Sequence, residues 1–152
     1  MNVAHWLVNT ATTYPDRPAL FTGKICDANY ATFAARAAAI GAYLQNQLHL
    51  RKGDRVALFM PNSTAYLEVL YGIWFAGGVV VPINAKLNEK EAAWIINDAA
   101  AKIVFTTEKF AAAFSAAQII TVKSDAYYAL YNTPPLHHPV AVDPDDMIWL
   151  FY

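Results

Sequence analysis

Four short apolar runs, Arg55–Met60, Val79–Ile83, Ile103–Thr106 and Ile119–Val122, recur along this chain, and stretches of helical character separate them. Strands covered on both faces read as continuous apolar runs rather than alternating ones. Strands that alternate with helices describe a parallel sheet, because a parallel pair needs a crossover that is usually a helix. The expected fold class is therefore α/β, with a parallel sheet flanked by helices. A length of 152 residues suits one ordinary domain.

The separating stretches are individually legible. Val3, Leu7 and Val8 stand at helical spacing in Val3–Thr13, and Pro15 and Pro18 stop any helix. Ala19–Thr22 and Ile25–Tyr30 surround Gly23-Lys24 as a β-hairpin. Thr32 is placed to cap a helix of about four turns whose stripe is Phe33, Ala37, Ile40, Leu44 and Leu48. Arg51-Lys52-Gly53-Asp54 reads as a turn, and Pro61 ends the strand after it. Asn62 or Ser63 starts a helix that is apolar on every face, with Glu68 its only charge, so it is expected to be buried on more than one side. Asn88 and Glu91 form a capping-box pattern ahead of Ala92, Ile95, Ile96, Ala99 and Ala100. Helices are also expected over Glu108–Ala117 and Asp125–Tyr131, and a final strand over Met147–Tyr152. The proline-rich stretch Asn132–Asp146 reads as the one loop or linker.

Composition narrows the function classes. Eleven Lys+Arg against twelve Asp+Glu leave a formal charge of −1, which provides no electrostatic footprint for nucleic acid or an anionic membrane. With 57% apolar and 15% charged residues, the chain is not disordered, yet it has little polar material to cover a small protein's surface. Its last six residues are all apolar or aromatic, unlike the usual polar terminus. The chain is thus expected to be a fragment of something larger, with a surplus apolar face through which it self-associates. Cys26 has no partner for a disulfide, and Met1–Thr13 lacks the basic residues of a secretory signal, so a cytoplasmic location is expected.

Familiar chemical motifs are missing. Gly77-Gly78 lies after a helix and before a strand, the reverse of the order a dinucleotide site needs, and the chain has no G-x-x-x-x-G-K-[ST] loop. Ser63 lacks the flanking glycines of a nucleophile elbow and reads as a helix cap. His137-His138 are adjacent in a proline-flanked loop rather than at ligand spacing, and Asp143, Asp145 and Asp146 read as a charged loop. Asn62-Ser63-Thr64 fits the glycosylation pattern but has no secretory route. Val69–Ala85 is free of charge yet broken by Gly77, Gly78 and Pro82, so a buried helix–strand unit is expected instead of a membrane span. Trp6, Trp74, Trp94 and Trp149 read as core. No catalytic constellation emerges from these residues.

The order of segments carries more. Pro15-Asp16-Arg17-Pro18-Ala19-Leu20 precedes Tyr30-Ala31-Thr32-Phe33, then Gly53-Asp54-Arg55-Val56-Ala57, Pro61-Asn62-Ser63, Ala76–Asn84 and Ala101–Thr106. This series resembles the N-terminal portion of the adenylate-forming superfamily, which includes acyl-CoA synthetases, peptide-synthetase adenylation domains and luciferases. The glycine-to-proline segment Ala76–Asn84 is similar to its second core motif, and the Tyr30 segment to its first. Trp74-Phe75 stand where adenylation domains commonly carry Leu-Lys, so the likeness is greater to acyl- or aryl-CoA synthetases.

The resemblance implies residues 1–152 as an incomplete large AMP-binding domain, whose parent joins a fatty or aryl carboxylic acid to coenzyme A using ATP and Mg²⁺. In the family the cationic and phosphate-binding groups belong to a Ser/Thr/Gly-rich loop, an acidic adenine–ribose segment and a mobile C-terminal domain. None of these motifs occurs in the 152 residues. The family loop normally follows a strand like Asp145–Tyr152. No catalytic, cofactor-binding or metal-ligating residue is therefore assigned, and ATP, Mg²⁺ and coenzyme A are not expected to bind this chain well. The competing expectation is a free-standing flavodoxin-like binding module.

Overall fold

The computed structural model describes residues 1–115 and 117–152. Helix α1 (Ala4–Thr13) leads into the antiparallel hairpin β1 (Pro18–Thr22) and β2 (Ile25–Asn29). There follow α2 (Tyr30–Asn46), β3 (Arg55–Phe59), α3 (Thr64–Phe75), β4 (Val79–Pro82), α4 (Glu89–Asp98), β5 (Ile103–Thr106), β6 (Gln118–Thr121) and α5 (Asp125–Ala129). The main sheet is wholly parallel in the order β4-β3-β5-β6. The expected fold class is the observed one.

Side-chain alternation divides the core into two layers. Val56, Leu58, Val80, Ile103 and Phe105 face α1, α2 and α3 in one buried cluster. Ala57, Phe59, Val81 and Val104 face Ala92, Ile95 and Ile96 of α4 in the other. The first layer is two helices deep. Gly41 of α2 and Gly72 of α3 permit this, because a Cβ on Gly72 would lie 2.7 Å from Ile40 Cγ2, and one on Gly41 2.9 Å from the Gly72 carbonyl oxygen. Helix α3 is covered on several sides, as its uniformly apolar sequence demands.

Three expected elements differ. The cap of α2 is Asn29, whose side chain accepts from the Thr32 amide at 2.8 Å; Thr32 lies inside the first turn. An asparagine leaving a strand already has the extended backbone that an N-cap needs, so the helix starts at the end of the hairpin. The stretch Glu108–Ala117 forms only a 3₁₀ turn at Glu108–Phe110, and Ala116 lies outside the described residues. Its alanines favour a helix, but a ten-residue helix depends on tertiary packing. Here Phe110 and Phe114 both pack on Phe59, at centroid distances of 4.9 and 5.8 Å.

The third difference lies at Met147–Tyr152, which makes one parallel bridge, Val80 to Trp149, rather than a strand. The Val80 amide donates to the Ile148 carbonyl at 3.0 Å, and the Leu150 amide to the Val80 carbonyl at 2.9 Å. The next donor on that edge of β4 would be residue 82. Pro82 has no N–H, so the ladder stops.

Candidate functional site

The sheet order creates a crevice. From β3 the chain enters α3 in the first layer, whereas from β5 it passes to Phe110 and Phe114 in the second. Adjacent strands whose successors leave for opposite faces open a gap beyond their carboxyl ends. A cavity of about 840 Å³ lies there, lined by the ends of β3, β5 and β6 and walled by Tyr43 of α2 and by Leu130.

Local sequence shapes each rim. Pro61 closes β3, and Ser63 takes the N-cap position of α3 in extended conformation, φ −158° and ψ 173°, but its hydroxyl makes no capping hydrogen bond. The helix starts at the expected place while the serine side chain stays free. Buried Thr106 donates through Oγ1 to the Phe59 carbonyl at 2.8 Å, locking the ends of β3 and β5 together. Beyond β6, Lys123 adopts φ +57°. Ser124 then caps α5, donating to the Thr121 carbonyl at 2.6 Å and accepting from the Tyr127 amide at 3.1 Å.

The outer wall is fastened by a buried charge. Glu68 is 1% exposed. It accepts from Arg36 Nη1 at 3.1 Å, from the Tyr127 hydroxyl at 3.1 Å and from the Tyr131 hydroxyl. Arg36 also stands over the Tyr131 ring, 4.7 Å from its centroid. Burial, reinforced by the adjacent Glu68 carboxylate, pushes both phenols above their ordinary range. The hub joins α2, α3 and the segment 125–132, which carries one side of the crevice. A lone glutamate on an otherwise apolar helix is the sequence signal for such a hub; its partners, 32 to 63 residues away, are not legible locally.

The other residues weighed from sequence are scattered. His137 and His138 are exposed and line no part of the crevice. Asp143 and Asp146 hold Lys52 Nζ at 3.1 and 2.7 Å, while Asp145 is exposed. These contacts raise the Lys52 ammonium pKa, with Asp146 the larger influence, and lower that of the Asp146 carboxyl. Ser63 lines the crevice, but no histidine does, so no activated serine forms. Among the described residues no three His, Cys, Asp or Glu gather around a common point. Val69–Ala85 divides into α3, a turn and β4, and among the described residues no helix is long and apolar enough to cross a membrane. The crevice carries the side chains of Glu108, Lys123 and Asp125 beside the Ser63 and Thr107 hydroxyls.

Comparison with known proteins places the chain in a family. The profile of the AMP-binding enzymes matches residues 7–152, so the chain belongs to the AMP-binding enzyme family. It is 38% identical over 104 residues to a long-chain-fatty-acid–CoA ligase of Salmonella typhimurium, covering 68% of this chain and 18% of that protein. It is 32% identical over 150 residues to a feruloyl-CoA synthase of Amycolatopsis, covering 97% of this chain and 30% of the relative. A fatty acyl-CoA synthetase of Mycobacterium tuberculosis superposes with TM-score 0.81 at 27% identity over 99% of this chain and 32% of its own. A benzoate CoA ligase of Burkholderia xenovorans superposes at 0.88 over 98% of this chain and 32% of its own; at 19% identity the likeness is one of fold alone. The chain thus spans between about a fifth and a third of the proteins named here.

Proposed function

We propose that these residues are the first part of the large domain of an AMP-forming acyl-CoA ligase, with 132–146 leading towards the nucleotide-binding segments. The observation that carries this reading is the family match over residues 7–152, supported by relatives named for fatty-acyl and feruloyl thioesters. In the reaction, a carboxylate oxygen of the acid attacks the α-phosphorus of ATP and pyrophosphate leaves. The coenzyme A thiol then attacks the acyl carbon, loses its proton and expels AMP. Both anionic partners of the first step must be neutralised for attack. In this reading Mg²⁺ would supply part of that neutralisation, and the enzyme works in the cytoplasm.

The chain's own part is structural. Its sheet and first helical layer form a rigid wall, and the exposed aromatic side chains Trp94, Trp149, Phe151 and Tyr152 form a surface for further protein. By itself the chain is inactive and self-associates through that surface. A free-standing flavodoxin-like module finds no support in the comparisons.

The test is to express the gene product that carries these 152 residues and to measure acid-dependent AMP and pyrophosphate formation with ATP, Mg²⁺ and coenzyme A. Long-chain fatty acids and ferulate-like aryl acids serve as alternative substrates. The expected result is turnover of one class by the gene product and none by the 152-residue chain alone. Absence of acid-dependent AMP from the gene product overturns the reading. A monodisperse monomer in light scattering of the chain at high concentration overturns the self-association.

A further inference from the structure

We propose that the crevice beyond β3, β5 and β6 binds a small hydroxylated anion, a phosphate monoester of a short polyol or its carboxylate counterpart, with Lys123 holding the charged end. This site is independent of the ligase reading, which places nucleotide chemistry outside these residues.

Position is the first argument. Open parallel sheets bind ligands where the strand order reverses, and the crevice sits at that point, between β3 and β5. Its volume of about 840 Å³ is within the range of small-molecule sites.

Lys123 provides the second argument. Among the described residues, three other than glycine have positive φ: His49, Ala100 and Lys123. Ala100 closes α4, with its own amide donating to the Asn97 carbonyl and that of Ala101 to the Ile96 carbonyl. His49 stands in the turn that ends α2, where the Leu50 amide donates to the Leu44 carbonyl. Lys123 stands in the turn that joins β6 to the Ser124 cap of α5. It follows a strand, on the rim of the crevice, in a conformation that glycine or asparagine adopts more readily. The turn sets on the rim the one cation among the crevice's described lining residues.

The lining completes the argument. The Asn62 amide and the Ser63 and Thr107 hydroxyls line the crevice and make no side-chain hydrogen bond among the described residues. The first turn of α3 carries no acidic residue that would compete for its amides. Glu108 and Asp125 also line the crevice, and Lys123 forms an ion pair with neither. Two carboxylates beside one ammonium disfavour a bare anion. They favour one that also carries hydroxyl donors, which the carboxylates accept. Tyr43, Met60 and Leu130 supply the apolar side on which a short carbon chain would lie.

An amide-resolved NMR titration of the protein with glycerol 3-phosphate, glycerate and glycerol tests this. At least one of the two anions is expected to give saturable shifts at Ser63, Thr107 and Lys123, with glycerol giving none. The anion that saturates first identifies the charged group as phosphoryl or carboxyl. Lys123→Gly is expected to melt about 2–4 °C higher, because glycine relieves the strain, while binding the preferred anion about tenfold more weakly through loss of one charge-assisted contact. Lys123→Gln is expected to bind as weakly as Lys123→Gly without melting higher, which separates charge from strain. The proposal fails if neither anion gives a saturable shift, if glycerol shifts the same amides equally, or if Lys123→Gly binds as tightly as the parent.

Discussion

The two helical layers of this molecule are built by different rules. On one side of the sheet, α2 and α3 pack at glycine distance and enclose a carboxylate with three hydrogen-bond donors. On the other, α4 lies alone with the 3₁₀ turn at Glu108–Phe110, and Trp94 on that helix is 62% exposed. The first layer is close-packed and intolerant of changed volume or charge. The second is thin, and it keeps its helix in place by capping and one apolar stripe. The molecule thus has one close-packed layer beside the crevice and one thin layer that leaves Trp94 exposed.

The largest expected break in that contrast is Glu68→Ala. It strands the buried Tyr127 phenol and the half-buried Tyr131 phenol and Arg36 guanidinium, at a cost of about 3–5 kcal/mol. Glu68→Gln retains an acceptor and is expected to lose less, about 1–3 kcal/mol. Chemical denaturation of both variants checks the order. Next is Gly72→Ala, whose methyl group would overlap Ile40 and is expected to cost about 1–3 kcal/mol in the same assay.

The second layer should respond more mildly. Asn88 and Glu91 exchange hydrogen bonds, each 3.0 Å long, across the first turn of α4. Asn88→Ala is expected to cost about 1 kcal/mol in thermal or chemical unfolding. Trp94→Lys should change stability by no more than about 0.5 kcal/mol, yet reduce the apparent mass in concentrated light scattering. An equal loss of stability from Trp94→Lys and Gly72→Ala would abolish the distinction between the layers.

pH separates the layers as well. The phenol pKa values of Tyr127 and Tyr131 are raised in the fold, first by burial and then by Glu68. The unfolded chain therefore gives up those protons at lower pH than the folded one. The stability linked to them is full below about pH 10 and falls above it, as unfolded tyrosines ionise. A melting temperature that falls steeply between about pH 10 and 11.5, and falls less in Tyr131→Phe, is the expected outcome.

Much of the fold was legible along the chain. The four parallel strands, the hairpin, the capping box at Asn88 and the burial of α3 all follow from apolar periodicity and turn chemistry, which act over a few residues. Two of the three departures turn on residues distant in sequence, whereas the Asn29 cap of α2 is local. The stretch expected to be a helix at Glu108–Ala117 instead lays Phe110 and Phe114 on Phe59, and the strand expected at Met147–Tyr152 shortened because Pro82 denies it a donor. Both outcomes depend on a residue distant in sequence.

The candidate site shows the same limit more sharply. The sequence places Ser63 at a helix cap, but the free state of its hydroxyl is a tertiary fact. Lys123 had no signal at all, since a positive φ cannot be read from a lysine in a polar turn. The sequence by itself determined the α/β class, the element order and the likeness to the AMP-binding enzymes, because local periodicity and ordered segments encode them. Only the tertiary structure decided where β3 and β5 part, which groups converge on the crevice, and that Glu68 holds one of its walls. Those features arise from the order in which strands are laid side by side, which is set by how distant faces bury one another.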